Sequence, residues 1–321
     1  MIYCAYKTKQ FLLALIKLSL VVAAFYFIYS KLFQNGNLSF AQFIQNLMSF
    51  SSISVNALLI LAFLSIFNWF LEIRKWQALV SSILKISFIE AKSQSLGALT
   101  ASLLTPNRIG DYGAKALYYP SQFRKKIMVL NLLGNTAQMG ITTIFGAVGF
   151  MYFTLRFHPE LNYSATFLWL AGIGIISLLL IWTFKTKWLN NQKKTISNLL
   201  NFVRRIPNKI IFKVVLFSLL RYLIFSFQFY YLLFLFGVEM SYFEAMIAIS
   251  SMYLLASIMP SIFIFDVVIK GGVAVYLFGL LGVPEFIILS IVTLMWILNF
   301  VFPSFIGSYH VLRFKLPKTV S

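Results

Sequence analysis

The chain has 321 residues, of which 60% are hydrophobic and 11% are charged, and its mean hydropathy is +0.86. This composition excludes an ordinary soluble domain, because several apolar runs are long enough to cross about 30 Å of hydrocarbon, which takes about 20 helical residues. The formal net charge of +19 does not indicate nucleic-acid binding, because the cations cluster at the ends of apolar runs. That is the positive-inside distribution, and such cations also attract anionic lipid headgroups.

The first half of the chain predicts three helical spans, at about 11–33, 55–71 and 127–155. Their apolar residues are continuous rather than alternating, which indicates helices rather than the strands of a closed barrel. The segment 34–54 carries no charge, as is typical of a loop outside the cytoplasm. The second span ends in the sequence Glu-Ile-Arg-Lys-Trp at 72–76, which we interpret as an interfacial anchor, with a cavity lining as the alternative.

Between the second and third spans the sequence predicts a hairpin. The segment 91–104 is short and rich in Ser, Thr and Gly, and the chain breaks at Pro106 and Gly110 before it resumes at about 111–119. Basic residues flank both ends, including those at 124–126, so both ends are expected at the cytoplasmic face. Such a re-entrant segment requires protein or a water-filled cavity to cover its broken backbone.

The second half predicts spans at about 165–184, 210–236 and 286–309. The loop 185–213 has eight Lys and Arg and no acidic residue. Apolar residues recur within it at i, i+3, i+4 and i+7, which predicts a basic amphipathic helix on the inner membrane surface. These residues are Ile196, Leu199, Leu200 and Val203.

A second hairpin is predicted between the last two spans. The segment 245–259 is followed by a break at Pro260 and by a short apolar piece that reaches 283. Its flanks are acidic rather than basic, so it is expected to enter from outside. The predicted breaks of the two hairpins are Pro106, Gly110, Pro260, Gly271 and Gly272.

Each half therefore reads span, span, hairpin, span. Three spans are an odd number, so the halves are expected to have opposite orientations, as in an inverted-topology repeat. The predicted fold is an all-α polytopic membrane protein with about six spans and two re-entrant broken-helix hairpins. A single membrane domain covers 1–321, with half-repeats at 1–160 and 161–321. We expect it in the inner membrane, with both termini in the cytoplasm.

The candidate site lies at the two hairpin breaks. The chain has only two aspartates, Asp111 and Asp266, and each is followed four residues later by a lysine, Lys115 or Lys270. Residues four apart share one helix face and can pair. Ionised groups in a membrane are costly and usually mark substrate or ion pathways. Arg108 has no counterpart in the second copy, and at the tip of a half-helix it could hold a phosphate.

A structural interpretation stays open for the same residues. Asp111 and Lys115 could form an interfacial salt bridge at a span end, with Pro106 only capping a helix. Asn131, Asn135 and Gln138 fall on one helix face and predict interhelical hydrogen bonds, with a hydrophilic path as the alternative.

Neither a metal site nor a catalytic site is predicted. Cys4 is the only cysteine, and the two histidines, His158 and His310, lie far apart near predicted span ends. The sequence contains no Gly-rich nucleotide loop, no HExxH motif and no plausible Ser–His–Asp set, so no cofactor is expected.

With these residues in hand, the chain resembles the flippase-like transmembrane region of the lysylphosphatidylglycerol synthase family. The motif Pro-x-Arg-x-Gly-Glu of that family is similar to Pro-Asn-Arg-Ile-Gly-Asp at 106–111. The stretch from Pro260 to the glycines at 271–272, the segment 72–76, and a C-terminal pattern are also similar. That pattern consists of Trp296, Asn299, Pro303 and Gly307.

The chain departs from the family pattern at several points. Asp replaces Glu at both acidic positions, no glycine directly follows Pro260, and Asn299 stands near Trp296 where an arginine is expected. The resemblance implies a stand-alone member without the aminoacyl-transferase domain, and hence lipid translocation rather than lysyl transfer.

The favoured interpretation is a flippase-like transporter that moves a phospholipid or polyprenyl-phosphate-linked lipid between leaflets. Substrate binding is assigned to Arg108, Asp111, Lys115, Asp266 and Lys270. The alternatives are an intramembrane enzyme that acts on a lipid-linked substrate, and a membrane scaffold for a separate synthase. A homo-oligomer is a further possibility.

Overall fold

The computed structural model describes residues 54–103, 105, 109–157, 197–258 and 266–316, together with Ser19 and Val22. For 266–270 it describes the backbone. The predicted spans at 165–184 and, apart from those two residues, at 11–33 lie outside the described residues.

All regular structure in the described ranges is helical. In chain order the helices are α1 (Val55–Val80), α2 (Phe88–Ser102), α3 (Gly110–Leu117), α4 (Ser121–Phe157), α5 (Asn208–Leu235), α6 (Tyr242–Ile258), α7 (Asp266–Gly279), α8 (Glu285–Trp296) and α9 (Phe302–Arg313). A π-helical turn, Ile297–Val301, joins α8 to α9 without interruption. A short helix also covers 197–204.

Four helical segments are long and apolar enough to cross a membrane. They are Val55–Val80, Ser121–Phe157, Asn208–Leu235 and Glu285–Arg313, with 26, 37, 28 and 29 residues. At about 1.5 Å per residue, the shortest exceeds the roughly 30 Å of hydrocarbon in a bilayer. The four coincide with the second, third, fifth and sixth predicted spans, so the chain is a helical membrane protein.

Both predicted interruptions separate two short helices. α2 starts with a capping box, in which the Ser87 hydroxyl accepts the Glu90 N–H at 3.2 Å and the Glu90 carboxylate accepts the Ser87 N–H at 2.7 Å. α3 starts at Gly110, whose N–H donates to Thr105 Oγ1 at 2.9 Å. A Cβ at Gly110 would lie 2.9 Å from the Thr105 side chain and 3.2 Å from Ser102 Cα, so this close approach requires glycine. In the second interruption, α6 ends at Ile258 and α7 begins at Asp266.

The short helices pack on the long helical segments, two of them on segments distant in sequence. α2 lies along α9 and α6 lies along α4, while α3 contacts α4, α7 contacts α8, and α1 packs along α5. Small residues lie at the α2–α9 and α4–α6 contacts, as in many membrane-helix interfaces. Gly307 of α9 lies directly against Leu96 and Thr100 of α2, and Gly146 and Gly149 of α4 lie against the backbone of α6.

The predicted amphipathic segment forms the helix at 197–204, and it packs on the bundle through one aromatic side chain. Phe202 is half-buried against the cluster that contains Ile206 and Val214. The Lys126 ammonium lies 5.5 Å from the centre of the Phe202 ring. Leu200, on the predicted apolar face, is exposed.

Candidate functional site

The predicted Asp111–Lys115 pair forms at the start of α3 and is completed by a residue of α4. Lys115 Nζ lies 3.1 Å from Asp111 Oδ2 and donates to Asn131 Oδ1 at 2.8 Å. Asn131 Nδ2 in turn donates to Asp111 Oδ2 at 2.6 Å, which closes a triangle of hydrogen bonds. Lys115 is 3% exposed. One buried cation is therefore matched here by one carboxylate and one amide.

A second set of charges lies between α1 and α5. Glu72 Oε2 is 2.7 Å from Lys75 Nζ, and the same oxygen accepts a hydrogen bond from Arg221 Nη1. Arg221 also donates from Nε to Asn68 Oδ1 at 3.0 Å and from Nη1 to Gln138 Oε1 at 3.3 Å. One carboxylate therefore serves two cations.

This arrangement corrects the prediction of an interfacial anchor at 72–76. Only Arg74 is exposed, where it donates to Gln77 at 2.9 Å, whereas Lys75 and Trp76 are 2% and 1% exposed. The reason is that α1 does not end near Leu71 but continues to Val80. Positions three and four apart on its last turns therefore face the bundle rather than the membrane edge.

Trp76 follows Lys75 in α1 and lies beside Lys115 of the first set of charges. Lys115 Nζ lies 4.6 Å from the centre of its ring, which is a favourable cation–π distance. The indole N–H donates to Gln94 Oε1 at 2.8 Å, and Tyr119 donates its hydroxyl to the same oxygen at 2.7 Å. We call the five ionisable residues that meet here the charged cluster: Glu72, Lys75, Asp111, Lys115 and Arg221.

The charged cluster continues into hydrogen bonds at the middle of the long helices. Asn68, Arg221 and Asn299 lie near the midpoints of α1, α5 and the Glu285–Arg313 segment. Asn68 Nδ2 donates to Asn299 Oδ1 at 3.2 Å, and Asn299 Nδ2 donates to Gln228 Oε1 at 3.0 Å. Gln228 Nε2 donates to Ser65 Oγ at 2.8 Å. We call this set the midspan network.

The predicted polar face of α4 makes the expected interhelical hydrogen bonds. Asn131 joins α3 as described, and Asn135 Nδ2 donates to Tyr112 Oη at 3.0 Å. Gln138 Nε2 donates to the Ser218 carbonyl at 3.3 Å. Gly134 lies on the same face, where a Cβ would be 3.8 Å from Lys75 Cε and 2.9 Å from Leu79 Cδ1. The absence of a side chain there makes room for the α1 side chains.

The other predicted site residues fall partly outside the described residues. Pro106, Arg108 and Pro260 lie outside them, as do the side chains of Asp266 and Lys270.

Two predicted break residues do not break a helix. Gly271 and Gly272 lie inside α7, so the break precedes Asp266. Glycine in a helix costs only about 1 kcal/mol relative to alanine, which tertiary packing overrides. A Cβ at Gly271 would lie 3.5 Å from Leu289 Cδ2, in ordinary contact with α8.

Arg221 is the site residue that the sequence analysis missed. It is the only charged residue between Lys213 and Glu239, near the middle of an apolar helix. An ionisable residue in such a position is by default a functional candidate, so this signal could have found it. Its partner Glu72 lies 149 residues away, and no local pattern indicates that pairing.

Within the described residues, no three His, Cys, Asp or Glu side chains are placed to hold a metal ion. The chain matches no protein-family model, no curated protein and no solved structure. The charged cluster and the midspan network are therefore the basis for assigning a function.

Proposed function

We propose that this protein is a membrane transporter that moves an anionic lipid, either a phospholipid or a polyprenyl-phosphate-linked lipid, between the two leaflets. The observation that carries the proposal is the charged cluster, three of whose five members, Glu72, Lys75 and Arg221, lie on helices able to cross a membrane. Burying ionised side chains at membrane depth costs several kcal/mol unless they are paired or hydrated, and such groups usually mark a pathway.

The balance of charge in the cluster favours an anionic substrate. Its three cations, Lys75, Lys115 and Arg221, face two carboxylates, Glu72 and Asp111. One positive charge is therefore left without a carboxylate among the described residues. A singly charged phosphodiester would neutralise it, and a guanidinium fits phosphate oxygens with two parallel hydrogen bonds.

The proposed architecture has six spans and two re-entrant hairpins in an inverted repeat, with α1–α4 in one half and α5–α9 in the other. Helix packing supports this division. In this division α1 corresponds to α5, α2 to α6, α3 to α7, and α4 to the continuous segment α8–α9. The α2–α9 contact then corresponds to the α6–α4 contact, and the α3–α4 contact to the α7–α8 contact. The α1–α5 contact corresponds to itself. In proteins with this repeat, broken helices meet near the midplane at the substrate site.

The proposed orientation in the inner membrane places both termini in the cytoplasm. Acidic residues support it at one end of the bundle, where Glu244 pairs with Arg156 and Glu239 lines a cavity of about 310 Å³ with Pro284. At the other end the Tyr118 and Phe314 rings meet edge to face, with centroids 4.8 Å apart, close to the basic residues of the C-terminal segment. The resemblance to the lysylphosphatidylglycerol synthase transmembrane family agrees with this topology.

The experiment is leaflet exchange of fluorescent phosphatidylglycerol and polyprenyl-phosphate in liposomes that contain the purified protein. Asp111→Asn and Arg221→Gln proteins are compared with Arg74→Gln, which removes an exposed cation from the same region. We expect exchange by the native protein and by the Arg74 variant, and a decrease of about tenfold or more for the other two, equivalent to about 1.4 kcal/mol of barrier or more.

Exchange at the native rate in both cluster variants would contradict the proposal, as would no exchange of either lipid by the native protein. Chemical conversion of the lipid in the absence of exchange would favour an intramembrane enzyme instead. Each variant is first checked for a native elution volume and unfolding temperature.

A further inference from the structure

The charged cluster balances its charges differently around Asp111 and around Glu72. Around Asp111, one cation, Lys115, faces one carboxylate, and Asn131 bonds to both. Around Glu72, two cations share a single carboxylate oxygen, Oε2. The Asp111 side is neutral by itself, so the excess positive charge belongs to the Glu72 side.

Arg221 has hydrogen-bonding capacity to spare. In the described part of the chain its Nε and Nη1 have partners, whereas Nη2 has none. The side chain is 20% exposed, and that of Glu72 is 14% exposed, so a ligand can approach both. Lys75 contributes three N–H donors, of which the described contacts engage one, to Glu72.

A carboxylate that bridges two cations occupies the position that a phosphate would take. Both groups can accept two parallel hydrogen bonds from a guanidinium. An incoming phosphodiester would therefore compete with Glu72 for Lys75 and Arg221. The neighbouring groups favour this exchange: Gln138 and Asn68 hold the guanidinium from two other helices, so it stays in place when Glu72 leaves.

We propose that Lys75 and Arg221 form the anion-binding centre of this protein, and that Glu72 occupies it as an internal anion which the phosphate of the ligand displaces. This inference rests on the proposed function and deepens it. It assigns the phosphate to α1 and α5 rather than to the tip of the first hairpin, and it gives the empty site a neutralising group. Glu72 then sets the affinity by competition.

Equilibrium binding tests the proposal independently of transport. The full chain is placed in phosphatidylcholine nanodiscs, and the dissociation constant of short-chain phosphatidylglycerol is measured. Short-chain phosphatidylcholine, a zwitterion without net charge, serves as the comparison, and inorganic phosphate tests for a free anion. The matched control is Glu244→Gln, which removes the carboxylate of an exposed ion pair with Arg156.

Glu72→Gln removes the competing charge and keeps the shape of the side chain, so we expect phosphatidylglycerol to bind about tenfold more tightly, which corresponds to about 1.4 kcal/mol. Arg221→Gln should weaken binding by a similar factor, and Glu244→Gln should leave it unchanged. Because Glu72→Gln leaves the buried Lys75 and the partly exposed Arg221 without a carboxylate, a Glu72→Gln, Lys75→Gln protein is measured in parallel. It retains the same excess charge as the native cluster but lacks one of the two proposed binding cations, so it is compared with Lys75→Gln alone and should bind phosphatidylglycerol more tightly than that variant.

The proposal would be overturned if neither Glu72 variant bound more tightly than the matching protein that retains Glu72, with unfolding temperatures unchanged, because Glu72 would then position Arg221 rather than compete for it. Tighter binding of phosphatidylglycerol without leaflet exchange by any protein would support the anion centre and contradict the transport function. Leaflet exchange by the native protein, together with phosphatidylglycerol binding that does not depend on Glu72, would support the transport function and contradict the displacement of Glu72. Equal tightening for inorganic phosphate would support displacement of Glu72 but identify a free anion as the ligand.

Discussion

The close contact between α4 and α6 gives a sharp prediction about stability. A Cβ at Gly146 would lie 2.5 Å from Leu254 Cβ and 3.1 Å from the Ser250 carbonyl oxygen. Neither atom can rotate away, because one is attached to the backbone and the other belongs to it. Gly146→Ala therefore forces α6 away from α4. Overpacking of this kind costs about 1 to 3 kcal/mol.

Gly140 of the same helix is the matched control, because a Cβ there has nothing within 4 Å. Both substitutions gain the same helix propensity, about 1 kcal/mol, so their difference isolates the steric cost. Each kcal/mol shifts Tm by about 2 to 4 °C for 150–250 residues, so Gly146→Ala should unfold roughly 2 to 12 °C below Gly140→Ala.

The assay is thermal unfolding of the purified proteins in one detergent, followed by tryptophan fluorescence and by the fraction that stays monodisperse. Equal midpoints for the two variants would refute the reasoning, since the α4–α6 contact would then have room for a methyl group. A lower midpoint for Gly140→Ala would mean that its exposed face is covered.

Two further predictions concern hydrogen bonds. Asn299→Leu removes the side-chain bonds of the midspan network to Asn68 and Gln228, and interhelical bonds of this kind average about 0.6 kcal/mol each. We expect a loss of about 1 to 2 kcal/mol in the same unfolding assay, and a midpoint at or above the native value would contradict the network. Ser87→Ala removes the N-cap of α2, which should cost about 1 kcal/mol and leave the rate of leaflet exchange unchanged. A slower exchange rate in the presence of a native midpoint would show that the Ser87–Glu90 capping box belongs to the site.

The long helices could be predicted from the sequence because hydrophobic length is a local property. Four apolar runs match four helices, with ends that agree to within a few residues in all but two cases. The start of α4 lies six residues before the predicted one, because its first turns are polar and basic. The end of α1 lies nine residues beyond the predicted one, because charged residues at 72–76 suggested a membrane edge. Their burial depends on partners in α4 and α5 that no local pattern encodes.

The candidate site could also be predicted only where it depends on local sequence. The Asp111–Lys115 pair follows from i, i+4 spacing on one helix and could be predicted. The polar face of α4 follows from helical periodicity. In contrast, the sharing of Glu72 by Lys75 and Arg221 results from the packing of α1 on α5, which hydropathy and spacing do not specify. The contact between Gly307 and α2 is also tertiary, and the sequence shows only a glycine.

The π-helical turn Ile297–Val301 has a consequence for tolerance to insertions and deletions. A π turn contains one residue more than the α-helical turn it replaces, and each of the two turns completes about one revolution of the helix. Deleting one residue other than Asn299 from this turn would therefore restore a regular helix and leave α9 facing nearly the same direction relative to α8. Gly307 would still face Thr100, and the hydrogen bond from Thr100 Oγ1 to the Ser304 carbonyl would be kept. A deletion in the regular part of α8 would instead rotate α9 by about 100°, so the loss of one residue should be tolerated far better in this turn than in α8.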